Sequence, residues 1–265
     1  MQLYIHHRTE YAYSAPVGYA LQKLRLRPVT SVLQEVQHWQ VALNGGKFET
    51  AYTDHYGNQV DLVSITPGAD KILIEAKGTI VTPPNNGVFG KTYGCAPLWH
   101  FKHPTQQTLP GPAIREIAGV IGQSADTLDG LHALSAAILK AAPYQIGATH
   151  SNTTAEDALV GGLGVCQDHA QIFVAAARAA NVPARYVSGY LMMNDTVNQD
   201  ASHAWAEAHI DSLGWVGFDV SNGYSPDERY ARIAIGRDAR DASPVEGLRI
   251  GPADETLIVS LQVQQ

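Results

Sequence analysis

The feature that most constrains the fold is a change in hydrophobic period along the chain. Between Leu3 and Val81, apolar and polar residues alternate in short segments, which are separated by turn sequences such as Asn44-Gly45-Gly46 and Pro67-Gly68. A period of two is typical of β-strands with one buried face. Since no stretch of this region sustains a helical period, we predict an all-β N-terminal domain over residues 1–82.

Prolines mark the end of this region. Six of the fourteen prolines of the chain lie within residues 83–112. Proline has no backbone N–H to donate and interrupts both helices and ladders. We therefore predict an irregular connector and a domain boundary at residues 83–112.

Beyond the connector the period becomes helical and then returns to two. Apolar stripes predict helices near Ile114–Ile121 and Leu128–Ile138, and an alanine-rich helix from Gly164 to Ala180. After Pro183 the alternation resumes and continues to the C-terminal string ETLIVSLQVQ. Helices followed by strands indicate an α+β fold. We predict one core domain over residues 113–265 that includes the C-terminal strands.

Charge and apolar content limit the partners of the chain. The chain has 18 Lys and Arg against 25 Asp and Glu, a formal net charge of −7, and no basic cluster. Nucleic acid is therefore not an expected partner. Apolar runs stop well short of a membrane span and the N-terminal residues lack a signal-peptide core, so we expect a cytoplasmic protein without a membrane partner. Edge strands leave a homo-oligomer open.

The chain has two cysteines, Cys95 and Cys166, which excludes a disulfide framework. Cys166 falls in the first turn of the alanine-rich helix, directly after a glycine-rich segment. Unpaired N–H groups and the positive end of the helix dipole favour a thiolate at that position. Cys166 is therefore a candidate nucleophile, whereas Cys95 lies in the connector with no base beside it.

A histidine and an aspartate follow on two predicted strands. His203 lies on one face of the strand 202–210, and Asp219 lies at the end of the next strand, after a turn that contains Gly214. The even spacing of these two residues requires an odd-length loop or a bulge, which Gly214 suits. A carboxylate beside an imidazole supports its cation, and that cation in turn holds a thiolate.

Each of these residues has an alternative interpretation in packing. A cysteine near a helix start is often a small buried apolar residue, and a strand histidine is often only a satisfied polar residue. The joint occurrence of Cys166, His203 and Asp219 nevertheless favours a catalytic role. The eleven histidines show no spacing of a recognised zinc site, so we expect neither a metal nor another cofactor.

Several strings resemble the microbial transglutaminase-like family, whose members are also described as cysteine proteases. In the second half of the chain these are Gly164-Val-Cys-Gln-Asp168, Ser202-His-Ala-Trp-Ala-Glu207 and Gly214-Trp-Val-Gly-Phe-Asp219. His7-Arg-Thr-Glu-Tyr-Ala-Tyr13 and Tyr56-Gly-Asn58 resemble the β-sandwich that precedes the core in that family. The resemblance implies a papain-like core in which the cysteine helix packs on an antiparallel sheet.

The resemblance also implies roles for individual residues. Cys166 takes the position of the nucleophile, His203 that of the general base and Asp219 that of the orienting acid. Candidates for the oxyanion site and the cleft are Tyr144, Gln167, Asp168 and Trp205. Family members commonly have Asp-Pro-Thr-Asn-Gly where this chain has Asp219-Val-Ser-Asn-Gly223, a difference that bears on the loop that positions Asp219.

These observations predict a cysteine-dependent enzyme that transfers acyl groups from amide bonds of a peptide or protein through a thioester. By resemblance to the microbial branch of the family, we favour hydrolysis of the peptidase or amidase type. Two alternatives stay open, namely amine transfer by a protein-glutamine γ-glutamyltransferase and a non-catalytic binding or assembly module with a vestigial core. Neither the substrate nor the acyl acceptor follows from the sequence.

Overall fold

The computed structural model describes residues 1–90, 95–194, 196–250 and 254–265. In this part of the chain the strands are β1 (Gln2–Tyr13), β2 (Tyr19–Arg27), β3 (Glu35–Asn44), β4 (Gly46–Thr53), β5 (Gln59–Ile65), β6 (Lys71–Val81), β7 (Val88–Gly90), β8 (Ala184–Leu191), β9 (Asn198–Gln199), β10 (His203–Ile210), β11 (Gly214–Phe218), β12 (Tyr230–Gly236), β13 (Val245–Ile250) and β14 (Glu255–Gln264). The helices are α1 (Pro112–Ala118), α2 (Thr127–Ala141), α3 (Ala155–Gly161) and α4 (Cys166–Ala179). This order confirms the predicted α+β fold class.

Two antiparallel sheets form the N-terminal region, with strand orders β3-β6-β1-β14-β9 and β13-β2-β5-β4. Every second residue of β1, from Leu3 to Tyr13, is buried, as the alternation predicts. Apolar residues of both sheets form one shared cluster, which includes Tyr11, Leu24, Val63 and Ile74. The sheets therefore pack face to face as a sandwich.

The C-terminal strands differ from the expectation that they belong to the core. β14 pairs with β1, from Tyr4 opposite Gln264 to Tyr13 opposite Glu255. β13 pairs with β2, beginning with Val245 opposite Leu24. An alternating sequence indicates a strand with one buried face but does not specify the sheet that it joins. Without β14, strand β1 would be the open edge of its sheet, and the pairing removes that edge.

The proline-rich segment is more ordered than an irregular connector. β7 pairs with β11 at the edge of the core sheet, and Leu98–Lys102 form a 3-10 helix. Residues 91–94 of the expected connector lie outside the described residues. The proposed domain limits at residues 82 and 112 stay predictions.

The core consists of an antiparallel sheet of order β12-β8-β10-β11-β7 with α4 packed on β10 and β8. Alanines meet at this contact, with Ala170 and Ala177 of α4 in the same buried cluster as Ala204, Ala206 and Ala208 of β10. Small side chains on both elements let the helix approach the strand closely. This packing brings the start of α4 close to the start of β10.

Within the described residues, no helix combines the length and the apolar composition that spanning a membrane would require. The predicted cytoplasmic location stays a prediction.

Candidate active site

Cys166 is the first residue of α4 and is only partly buried, whereas Cys95 is exposed. The carboxylate of Asp168 accepts hydrogen bonds from the backbone N–H of Val165, at 2.9 Å, and from the Thr149 hydroxyl, at 2.6 Å. These bonds fix the helix start. A Cβ at Gly164 would lie 2.9 Å from the Asp168 side chain, so the glycine leaves room for this cap.

His203 and Asp219 reach each other across the β10–β11 hairpin. Three residues separate Ile210 from its partner Gly214, whose φ of +81° is the left-handed conformation that a glycine adopts without strain. If this register is continued, Asp219 is opposite Trp205, so His203 is its diagonal neighbour on the same face. The two side chains meet with 2.6 Å between His203 Nε2 and Asp219 Oδ2.

The Asp219 carboxylate is fully buried and is surrounded by donors. Besides His203, its Oδ2 accepts hydrogen bonds from the Tyr230 hydroxyl, at 2.6 Å, and from the Asn222 side-chain amide, at 2.7 Å. Burial alone would raise the pKa of Asp219. Its hydrogen bonds from His203, Tyr230 and Asn222 outweigh burial and lower the pKa below 3.8. The carboxylate therefore stays ionised at neutral pH.

The imidazole of His203 links this carboxylate to the cysteine. Burial of His203 lowers its pKa, but the hydrogen bonds to Asp219 and Cys166 act in the opposite direction and raise the pKa to about 10. Because Nε2 is bonded to Asp219, Nδ1 is the nitrogen left to face Cys166. A protonated imidazole between a carboxylate and a thiol is the arrangement that supports a thiolate nucleophile.

Family models match both halves of the chain. Residues 115–220 match the model of the transglutaminase-like superfamily, and residues 3–81 match that of the bacterial transglutaminase-like N-terminal region. The chain has a transglutaminase-like core behind a bacterial transglutaminase-like N-terminal region. This confirms the resemblance inferred from the sequence strings.

Similar proteins extend over nearly the full length of the chain. An uncharacterized protein of Mycobacterium tuberculosis is 28% identical over 97% of this chain and 90% of its own length. One of Mycobacterium leprae is 26% identical over 97% of this chain and 96% of its own length. The crystal structure of a putative cysteine protease from Cytophaga hutchinsonii has a TM-score of 0.79 at 21% identity and covers 100% of this chain and 91% of its own. This likeness confirms the predicted fold of the transglutaminase-like core.

The other predicted site residues fall into different places in the transglutaminase-like core. Tyr144 forms a bridge to Gly164 beside the helix start and is 49% exposed. Burial raises the pKa of Tyr144, and the charges of Cys166 and Asp219 raise it further. Gln167 is partly buried at the second position of α4. Asp168 caps the helix instead of meeting the imidazole.

Trp205 is almost fully buried, so it offers little surface to a cleft. Its ring stacks on His203 with 6.3 Å between centroids and meets the Tyr230 ring edge-on at 5.4 Å. Trp205 therefore supports the imidazole by packing.

Residues that the sequence did not predict also hold the site together. His169, buried on α4, donates from Nε2 to the carbonyl oxygen of Ala142, at 2.7 Å, and accepts from the Ser221 hydroxyl at Nδ1, at 2.8 Å. Burial lowers the pKa of His169, which keeps the ring neutral and able to accept. Ser221 and Asn222 lie in the string that differs from the family pattern, and this difference was the only sequence feature that drew attention to their loop. Tyr230 had no such signal, because it lies eleven residues beyond Asp219 on another strand.

Proposed function

We propose that the protein is a cysteine-dependent acyl-transfer enzyme that hydrolyses amide bonds of peptides or proteins. One observation carries the proposal. The His203 ring bonds to the buried Asp219 carboxylate at 2.6 Å, and Cys166, the first residue of α4, is among the groups that raise the pKa of this ring. Cys166 is then the nucleophile, His203 the general base and acid, and Asp219 the group that orients and charges the imidazole.

In the first half of the reaction the Cys166 thiolate attacks the amide carbon and forms a C–S bond. The oxyanion accepts from the Cys166 backbone N–H, since the first N–H groups of a helix have no partner within it. We assign the second donor to the hydroxyl of Tyr144, whose backbone pairs with Gly164 just before the helix start. The His203 imidazolium then gives its proton to the amide nitrogen, the C–N bond breaks, the amine leaves and a thioester remains.

In the second half a water molecule resolves the thioester. His203 takes a proton from the water, the oxygen attacks the thioester carbon, and the C–S bond breaks to release a carboxylic acid and the thiolate. The proton stays on His203, which restores the starting ion pair. Asp219 remains ionised throughout, because its donors favour the charged form.

The choice of water as acceptor is supported by the partial exposure of Cys166, which gives solvent a route to the thioester. A primary amine would attack the same carbon in the same way, so amine transfer differs in the acceptor alone. The experiment therefore has to separate the two products.

A panel of glutamine-containing peptides, incubated with and without a primary amine, tests the proposal by mass spectrometry and ammonia release. We expect peptide cleavage or deamidation in the wild type, none in Cys166→Ala, and full activity in the matched variant Cys95→Ala. If amine adducts form in preference to hydrolysis products, the proposed reaction becomes amine transfer instead of hydrolysis. The absence of any Cys166-dependent product across the panel would overturn the enzyme proposal in favour of a binding module.

A further inference from the structure

Tyr230 contacts the Asp219 carboxylate from a third element of the core. It is the first residue of β12, is 6% exposed, and donates its hydroxyl proton to Asp219 Oδ2 at 2.6 Å. Burial and the adjacent Asp219 charge raise the pKa of Tyr230, so the phenol stays protonated and can donate to the carboxylate. Its ring also packs against His203, with 5.9 Å between centroids.

One carboxylate oxygen thus accepts three hydrogen bonds, from His203, Tyr230 and Asn222. The His203 donor carries a charge, whereas Tyr230 and Asn222 are neutral donors that fix where the carboxylate oxygen points. Asn222 lies on the same loop as Asp219 and moves with it. Tyr230 is on a separate strand, so it ties the loop to the sheet.

The N-terminal region holds Tyr230 in turn through β12. This strand is the outer strand of the core sheet, with β8 on one side. On the other side, the Gln34 side chain accepts from the Arg232 N–H at 2.8 Å and donates to the Arg232 carbonyl at 3.0 Å. These two bonds satisfy the backbone N–H and C=O of Arg232 in the way that a neighbouring strand would. Gln34 thereby fixes β12 two residues from Tyr230.

We propose that Tyr230 is a positioning residue that holds Asp219 against His203, and that Gln34 connects the N-terminal region to the active site by holding β12. The inference rests on the proposed function, since it assigns a task in the same catalytic group. It gives the N-terminal sandwich a part in catalysis that requires no partner protein.

The titratable groups that interact with Asp219 in the described part of the chain are His203 on β10, Tyr230 on β12, His169 on α4 and Tyr144 in the loop before α3. Cys166 acts on it through His203. Removal of the Tyr230 hydroxyl takes away a donor that lowers the pKa of Asp219, so the carboxylate is then protonated at a higher pH. Below that pH the imidazolium loses its support, and activity falls earlier on the acidic side.

The test is Tyr230→Phe, which deletes one oxygen atom. We expect kcat/KM to fall by about tenfold, the loss of one charge-assisted hydrogen bond, mainly through kcat, and the acidic limb of the pH profile to move upward. The matched control is Tyr190→Phe. Tyr190 is also fully buried, and its hydroxyl bonds to His7 at 2.8 Å, away from Asp219. Thermal unfolding of both variants establishes that each is folded.

A second readout separates this inference from the proposed function. In the Cys95→Ala background, the rate of Cys166 alkylation against pH reports the thiol–imidazole pair without any substrate. We expect Tyr230→Phe to move this profile and Tyr190→Phe to leave it unchanged. If no substrate is turned over but the profile moves, the proposed function fails and the inference about Tyr230 stands. If Tyr230→Phe has the wild-type profile in both assays, the inference is overturned whether or not the chain is an enzyme.

Gln34→Leu tests the connection to the N-terminal region. We expect a shift in the same direction as that of Tyr230→Phe but smaller, about threefold in kcat/KM, because β12 is loosened and the hydroxyl is retained. Asn58→Leu is the control, since the Asn58 amide holds Ile235 at the other end of β12 by the same pair of bonds, at 2.8 and 2.9 Å. Equal shifts in the two variants, or none in either, would contradict a specific role for Gln34.

Discussion

Strand β10 carries two buried ionic groups on one face, and the two groups differ in the kind of cation that balances the carboxylate. At its start, His203 meets the Asp219 carboxylate at 2.6 Å. Four residues along, the fully buried Glu207 carboxylate binds Arg185, at 2.6 Å from Nε, and Arg232, which contacts its other oxygen. Both anions are removed from solvent, and both are balanced by cations on their own sheet.

The two groups differ in whether the cation can release its proton. Arg185 and Arg232 lie over the rings of Trp215 and Phe89, at 3.9 and 3.6 Å, and a guanidinium stays charged throughout the physiological range. An imidazole, by contrast, can bind and release a proton. Under the proposed function, equal burial therefore gives a fixed support in one place and a proton-transfer group in the other. Substitution of Asp219 should therefore lower activity most, whereas substitution of Glu207 should lower stability most.

The largest effect on activity is expected from Asp219→Asn. The amide keeps the shape of the side chain but removes the charge that supports the His203 imidazolium. We expect kcat/KM for peptide hydrolysis to fall by about 10³-fold, and thermal unfolding checks that the variant is still folded. The same carboxyl-to-amide change in Glu207→Gln is the control, and a loss of rate of similar size there would end the distinction between the groups.

Glu207→Gln should have the largest effect on stability. It removes the carboxylate charge that two buried guanidinium groups share, which costs about 3–5 kcal/mol of unfolding free energy. Urea unfolding measures this change, and the rate per folded molecule should stay near that of the wild type. A loss of less than about 1 kcal/mol would mean that the arginines have other compensation.

The sequence predicted one of these groups and not the other, for a physical reason. Cys166, His203 and Asp219 could be found because helix-start position and strand period are local properties, and the three-residue turn before Gly214 sets the diagonal contact. Glu207 and Tyr230 depend on which strand lies beside which. The order β12-β8-β10 brings together residues far apart in the chain, and alternation carries no information about it. For the same reason, the strands that pair with β1 and β2 could not be identified.

The pH dependence of stability also distinguishes the His203–Asp219 group from the Glu207 group. Folding raises the pKa of His203 from 6.5 to about 10. The stabilisation from this shift is therefore complete below pH 6.5 and is lost as the pH rises through 10. Folding lowers the pKa of Asp219, so its part is lost only as the pH falls below about 3.8.

We expect the difference in unfolding free energy between the wild type and His203→Gln to be largest near pH 5–6 and to disappear near pH 10. The destabilisation by Glu207→Gln should stay constant over this range, because the guanidinium groups do not titrate within it. Urea unfolding at a series of pH values measures both. Parallel pH dependence of the two variants would show that the His203 shift is not the cause.

The smallest effect is expected at Ser221, whose hydroxyl donates to His169 on α4 at 2.8 Å. This bond holds the Asp219 loop to the cysteine helix, whereas Glu207 lies within a strand and needs no such tie. Ser221→Ala should lower kcat/KM by about threefold to fivefold, the equivalent of one neutral hydrogen bond. Ser221→Thr keeps the hydroxyl and should retain the wild-type rate. Equal rates in the two variants would show that the Ser221 hydroxyl does not help to position Asp219. Asn222 and Tyr230, which donate to Asp219 in both variants, would then suffice.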